Sequence, residues 1–219
     1  MAEALIVVDL QNDFCPGGAL PVADGDAIVP LVNRLLERAT IRILTQDWHP
    51  ADHQSFAVSH TGAAPGDRAV VGGVEQTLWP VHCVQGTRGA MFHPALQADR
   101  ADLVLRKGFR REIDSYSAFF ENDRVTPSGL DGYLRSRGAT AVALVGLALD
   151  YCVAASALDA ARLGYATRVV VVACRGIDHE GSIAAAEAAM RAAGVVLDTG
   201  GGPRGILPAA PTLSGDRHA

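Results

Sequence analysis

Three side chains of this 219-residue chain suit acyl transfer and lie where an α/β fold would present them. Cys152, in GLALDYCVAA, follows the apolar run AVALVG and opens an Ala-rich helical pattern. Asp9 closes the apolar run LIVV, and Lys107 closes LVLR. A thiol near a helix N-terminus, with an ammonium beside it, is expected to be an activated thiolate. A carboxylate in reach takes the thiol proton and later returns it to a leaving group. Backbone amides around Ala148 and Cys152 would form an oxyanion hole, where one donor is typically worth about 3 kcal/mol. The competing reading is a core cysteine, a turn-capping aspartate and a solvated lysine, since free cysteine is among the most buried residue types.

A second set of residues has metal-ligand character. In DWHPADH, Asp47 and His49 stand two apart, so an extended segment points them the same way. Pro50 keeps that segment from becoming helical. His82, in WPVHC, lies in a Pro-containing loop and offers a third ligand. One carboxylate and two imidazoles with open positions suit a single divalent ion, with zinc the first choice and iron(II) or manganese(II) the others. His53 is a candidate fourth ligand or an outer residue. D-x-H alone is equally the pattern of a capping aspartate beside a surface histidine.

The elements that must position these groups follow from apolar patterning. Strands are expected over 5–9, 41–47, 101–108, 140–146, 167–174 and 195–199, and helices over 26–38, 127–137, 151–163 and 182–193. Asp26 and Thr126 are read as N-caps, with Pro127 in a first turn and Gly138 and Gly164 as stops. Alternating helices and near-continuous Val/Ile/Leu strands predict an α/β fold: a doubly wound, mostly parallel, six-stranded sheet with helices on both faces, a three-layer Rossmann-like arrangement. Ligands in such folds bind beyond the carboxyl ends of the strands, where Asp9, Lys107 and Cys152 fall. Residues 48–98 interrupt the rhythm and hold five of the seven histidines and both tryptophans. Irregular stretches that long are usually functional or disordered, and this content argues for function. One domain over 1–199 is expected, with a poorly ordered tail over 200–219.

Composition excludes several classes. Apolar residues make up 49% of the chain, enough for a substantial core, and the net charge of −5 argues against a nucleic-acid partner. No basic run or bilayer-length apolar stretch is present, so no membrane partner is expected. The N-terminal apolar run is short and ends in Asp9, which reads as a strand rather than a signal peptide. The four cysteines form no C-x-x-C pair, so free thiols in a cytoplasmic setting are expected.

These pieces match a family. VVDLQNDFCPGGAL, TQDWHPADHQSFA, LWPVHCVQGTRGAMFHP, RKGFRREIDSYSAF and VGLALDYCVAASALDA resemble, in order, the nicotinamidase/pyrazinamidase branch of the isochorismatase-like cysteine hydrolases. The resemblance runs from about residue 5 to 196. It implies hydrolysis of nicotinamide to nicotinate and ammonia through a cysteine thioester, with a role in pyridine-nucleotide salvage. Cys152 would be the nucleophile, Asp9 and Lys107 its partners, and Asp47, His49 and His82 the metal ligands. Some relatives use a further ligand near His53. The Leu147–Ala148 bond matches a cis peptide, and Phe14, Trp79 and Tyr116 match pocket aromatics. Leu149 departs from the threonine many relatives carry there, which bears on substrate preference. Another small-amide or carbamoyl hydrolase, or a catalytically silent homologue, is the alternative. The resemblance leaves a homo-oligomer open.

Overall fold

The apolar runs pair as a parallel sheet in a computed structural model, which describes residues 2–200. Strands β1 (Ala2–Val8), β2 (Ile41–Asp47), β5 (Leu103–Lys107), β6 (Ala139–Leu147), β7 (Ala166–Arg175) and β8 (Val196–Asp198) form one six-stranded sheet in the order β5-β2-β1-β6-β7-β8. Every pairing in it is parallel, as the fully apolar central strands require. Counted along the chain, the order runs outward from β1 in both directions, so the switch point lies between β1 and β6.

Alternation along β1 sorts the core into two layers. Ala4, Ile6 and Val8 face one side, where they meet α2 (Leu130–Ser136), α3 (Ala154–Arg162) and α4 (Ser182–Ala192) through Leu130, Leu134, Ala157, Ala160 and Met190. Leu5 and Val7 face the other side and meet α1 (Val29–Arg38) through Val32, Leu35 and Leu36. Helices cover both faces as expected, but unevenly. The α1 face is completed by Cys83, Ala90 and Leu96 of the irregular stretch.

That stretch is not wholly irregular. Strands β3 (Arg68–Val71) and β4 (Val74–Thr77) form an antiparallel hairpin. Gly72 and Gly73, with φ of 58° and 81°, supply the two positive-φ positions of its turn. The remainder is held by short-range backbone bonds, such as Trp79 N–H to Ser55 O at 2.8 Å and His49 N–H to Cys83 O at 3.0 Å.

Several boundaries differ from the expectation. Asp26 lies inside a 3-10 turn, Gly25–Ile28, and makes no side-chain cap; α1 begins at Val29. Thr126 does not cap α2, because its hydroxyl and amide bond Asp123 instead, at 2.6 and 2.9 Å, and α2 starts after Gly129. Ahead of α3, Leu149–Val153 forms a π turn rather than the first turn of an α-helix. Gly138 and Gly164, with φ of 67° and 89°, do end their helices. Gly200 donates to Asp198, and the rest of the expected tail lies outside the described residues.

Gly146, three residues before the π turn, is the tightest point of the switch. Its φ is 117°, and a Cβ there would lie 2.1 Å from Val8 O on β1. Gly146→Ala is therefore expected to destabilise the protein by about 3 kcal/mol or more. Thermal or denaturant unfolding checks this, and an unchanged transition would contradict the close β1–β6 approach.

Candidate active site

Asp9, Asp47, Lys107 and Cys152 all sit at carboxyl ends of neighbouring strands, which the switch gathers on one edge of the sheet. Asp9 follows β1 with a φ of 46°, which turns the chain out of the sheet. Asp47 and Lys107 are register partners at the ends of β2 and β5. Cys152 follows β6 in the π turn, just after the Leu147–Ala148 peptide bond, which is cis as the resemblance implies.

Lys107 organises the cluster and is almost fully buried, at 2% exposure. Its ammonium donates to Asp47 Oδ1 at 2.5 Å, Ser115 O at 2.9 Å and Cys152 Sγ at 3.4 Å. Those three acceptors use all three N–H groups of an ammonium. Asp9 Oδ2 lies 2.7 Å from the same nitrogen as an ion pair, a fourth neighbour that competes for those three N–H groups. Its other oxygen, Oδ1, accepts from the Thr45 hydroxyl at 2.5 Å. The Asp9 carboxylate also stands within 4.8 Å of the Cys152 thiol.

The electrostatics correct the expectation of a ready-made thiolate. Burial holds the Cys152 thiol well above its ordinary range; Lys107 pulls it down, while Asp9 and Asp47 push it up again. Desolvation outweighs the lysine, so the thiol stays protonated until a base takes its proton. Asp9 is suited to that. Burial raises its carboxyl to about 6, against the pull of Lys107 and with a further push from Asp47. Burial works against Asp47 too, but Lys107 and then His49 more than compensate, and its carboxyl falls well below the ordinary range.

The metal-ligand candidates converge on the far side of Asp47. Its Oδ2 lies 3.5 Å from His49 Nε2 and 3.9 Å from His82 Nε2. The opposite nitrogen of each ring, Nδ1, is 2.8 Å from a backbone carbonyl, Gly108 O for His49 and Pro80 O for His82. Those carbonyls can only accept, so each Nδ1 carries a proton and the Nε2 edge of each ring is turned toward Asp47. That is the donor set and outer support of a transition-metal site. Burial, and then His49, lowers His82 to about 4, whereas Asp47 raises His49 above its ordinary value against the pull of burial. His53, the candidate fourth ligand, stands instead with His49 and Asp114, its ring 4.5 Å from that of His49. Its Nδ1 accepts from Ser55 N–H at 3.1 Å, and its Nε2 faces Ile113 O at 3.2 Å, so both nitrogens are engaged.

The aromatics divide between the two halves. Phe14 packs on the His82 ring at 5.4 Å. Trp79 Nε1–H donates to Tyr116 Oη at 2.9 Å, and the Tyr151 ring meets Trp79 edge-on at 4.9 Å and Tyr116 at 5.9 Å. A cavity of about 310 Å³ opens beside Tyr116 and Tyr151, lined also by Arg68, Gln76, Glu121 and Asp159, but Cys152 and the metal-ligand residues do not line it.

Residue types and spacing left several groups unread. Gln11 is fully buried, and its carboxamide accepts from Asp47 N–H at 2.8 Å and donates to Asp47 O at 2.9 Å. It replaces the strand partner that β2 loses when Asp9 turns away. Phe56 packs on all three histidines, with ring centroids 5.5 Å from His49 and His82 and 5.7 Å from His53. Leu149, the departure from the threonine of many relatives, is buried in the core beneath α3.

A parallel sheet with a buried Cys–Asp–Lys cluster at its switch point and an Asp–His–His set beside it has the form of a metal-assisted cysteine hydrolase. The chain matches the isochorismatase domain over residues 3–200 and belongs to that family. It is 51% identical to the nicotinamidase of Acinetobacter baylyi over 192 residues, 88% of this chain and 90% of that one. Among solved structures, the Acinetobacter baumanii nicotinamidase/pyrazinamidase is 50% identical with a TM-score of 0.88, covering 90% of this chain and 95% of that chain. The yeast nicotinamidase bound to the inhibitor nicotinaldehyde is 31% identical, TM-score 0.84, with coverage of 90% and 99%. The Pyrococcus horikoshii pyrazinamidase in complex with zinc is 36% identical, TM-score 0.72, with coverage of 90% and 98%.

Gly108 sets the tightest constraint on the metal-ligand half. Its φ is 63°, and a Cβ would lie 2.5 Å from His49 Cε1 and 2.8 Å from Nδ1. Gly108→Ala is expected to swing the His49 ring and weaken zinc binding about tenfold or more. Titration of the metal-free protein with zinc measures this, and wild-type affinity would contradict the placement of His49.

Proposed function

We propose that the protein is a nicotinamidase, hydrolysing nicotinamide, and pyrazinamide likewise, to the carboxylate and ammonia through a thioester on Cys152. The observation that carries the reading is the Asp9 carboxylate within 4.8 Å of the buried Cys152 thiol, with Lys107 Nζ 2.7 Å from Asp9 Oδ2 and 3.4 Å from the sulfur. The nicotinamidase names of its relatives supply the substrate class.

Asp9 takes the thiol proton as Cys152 Sγ attacks the carboxamide carbon. Lys107, fixed 3.4 Å from the sulfur, stabilises the thiolate as it forms. The backbone amides of Ala148 and Cys152 are the donors assigned to the tetrahedral oxyanion. Asp9 then passes its proton to the departing nitrogen, the C–N bond breaks, and ammonia leaves a thioester. In the second half Asp9 takes a proton from water, the hydroxide attacks the thioester, and the C–S bond breaks. The proton returns from Asp9 to Cys152. Asp47, His49 and His82 would hold a divalent ion, with zinc the first choice, and such an ion would supply a Lewis-acid contact for the ring nitrogen. Phe14, Trp79 and Tyr116 flank the space left for the ring, and His53 is assigned to outer support of His49. The working unit is a single domain over 1–199, in a reducing, cytoplasmic setting that keeps its four free cysteines as thiols. It recovers nicotinate for pyridine-nucleotide synthesis.

Two outcomes test this reading. Ammonia release from nicotinamide and pyrazinamide should exceed that from benzamide, which lacks the ring nitrogen, by at least about 100-fold in kcat/KM. Comparable rates on benzamide would favour a general small-amide hydrolase. The reaction needs Asp9 ionised, and burial holds that group at about 6, so kcat/KM should fall as pH drops through about 6 and level off above it. A flat profile down to the ordinary carboxylate range, near 3.8, would remove Asp9 as the base.

A further inference from the structure

Asp150 lies two residues before Cys152, in the same π turn, and takes no part in the chemistry above. Its carboxylate reaches across to the connection between β7 and α4. Oδ1 accepts from Ile177 N–H at 3.0 Å, and Oδ2 accepts from Asp178 N–H at 2.8 Å and from the Ser182 hydroxyl at 2.6 Å. No lysine or arginine pairs with it among the described residues; its partners are two backbone amides and one hydroxyl.

The connection it holds is conformationally demanding. Asp178 and Glu180 have φ of 57° and 51°, values that cost energy for residues with a Cβ. Gly176 leaves the carboxylate room, since a Cβ there would lie 3.0 Å from Asp150 Oδ1 and 2.6 Å from Ile183 Cδ1. The opposite end of the turn is fastened separately. Ser156 Oγ donates to Cys152 O at 2.7 Å and accepts from Ala118 N–H at 2.8 Å. Between the two anchors stand Tyr151, packed on Trp79 and Tyr116, and Cys152 itself.

We propose that Asp150 is a positioning residue for the nucleophile: by tying its end of the π turn to the β7–α4 connection, it sets where the Cys152 sulfur and amide lie relative to Asp9 and Lys107. The proposal rests on Cys152 being the nucleophile. A carboxylate is required because all three partners donate. An asparagine offers one accepting oxygen and turns an NH₂ toward donors, so Asp150→Asn keeps the volume and removes the match. Displacing a reacting atom by about 1 Å can cost on the order of 100-fold in rate.

The test compares the wild-type holoenzyme with Asp150→Asn, Ser182→Ala and Cys152→Ala. Asp150→Asn should lower kcat about 10- to 100-fold, leave KM within about threefold, and leave bound zinc unchanged. Ser182→Ala, which removes one of the three donors, should lower kcat about fivefold. Both should slow alkylation of Cys152 by iodoacetamide, whereas loss of folded protein would expose the four buried cysteines and speed it. Wild-type kcat and alkylation in folded Asp150→Asn would overturn the proposal. Should that variant not fold, wild-type kcat and alkylation in Ser182→Ala would overturn it. Substantial turnover by Cys152→Ala would instead overturn the nucleophile assignment on which the proposal rests.

Discussion

The Lys107 ammonium is the charge around which the site is built. It is buried between two carboxylates and a thiol, with Asp47 Oδ1 and Asp9 Oδ2 2.5 and 2.7 Å from its nitrogen. An unpaired charge in such a place would be prohibitively costly, and a paired one is tolerated only with its hydrogen bonds completed. Completing them fixes the lysine, and fixing the lysine fixes everything it touches. One cation facing two ionised carboxylates leaves the cluster one negative charge in excess. Burial raises the Asp9 carboxyl toward neutrality, the excess adds to it through Asp47, and burial likewise keeps the Cys152 thiol protonated. Asp47 escapes it by standing between the lysine and two imidazoles. The same carboxylate therefore joins the nucleophile half of the site to the metal-ligand half, one oxygen to each.

Topology makes that meeting cheap in chain terms. Asp9 and Cys152 are far apart in sequence, but β1 and β6 are hydrogen-bonded neighbours at the switch point. The crossovers that lead away from it run to opposite faces, which opens a crevice where the strands end. Asp9 turns out of the sheet at its φ of 46° and leaves the end of β2 without a partner on that side. Gln11 supplies the missing hydrogen bonds with its side chain. The turn that presents the base and the clamp that steadies Asp47 are thus two consequences of one local turn at the end of β1.

What the sequence made legible, and what it did not, follows from the range of each interaction. Asp9, Lys107 and Cys152 were readable because strands are local and the carboxyl-end rule is general. Asp47 and His49 were readable because two-residue spacing in an extended segment fixes their facing. Gln11, Thr45 and Ser115 act through backbone groups or single hydroxyls brought from distant segments, and no spacing announces that. The β3–β4 hairpin was hidden because a short, half-exposed ribbon has little apolar pattern, although its Gly-Gly turn was a usable signal. Thr126 was misread as a cap because Asp123, three residues before it, competes for its hydroxyl and amide. The thiolate expectation failed for a different reason: a helix terminus and a lysine are visible in sequence, whereas the desolvation that outweighs the lysine is a property of the finished core.

That desolvation is also what gives the site its strength. Cys152 is 6% exposed, Asp9 is fully buried, and the Trp79, Tyr116 and Tyr151 rings pack edge to edge nearby. A dry, low-dielectric surround raises the thiol's proton affinity, which opposes attack. It also enlarges the attraction between a nascent thiolate and the ammonium 3.4 Å away, which favours it. The two effects scale together with burial. They favour reaction only if the proton leaves the sulfur as the carbon–sulfur bond forms, so that full charge never rests on a desolvated thiolate. A base beside the thiol, held near neutrality by the same burial, meets that requirement, and Asp9 is the residue so placed.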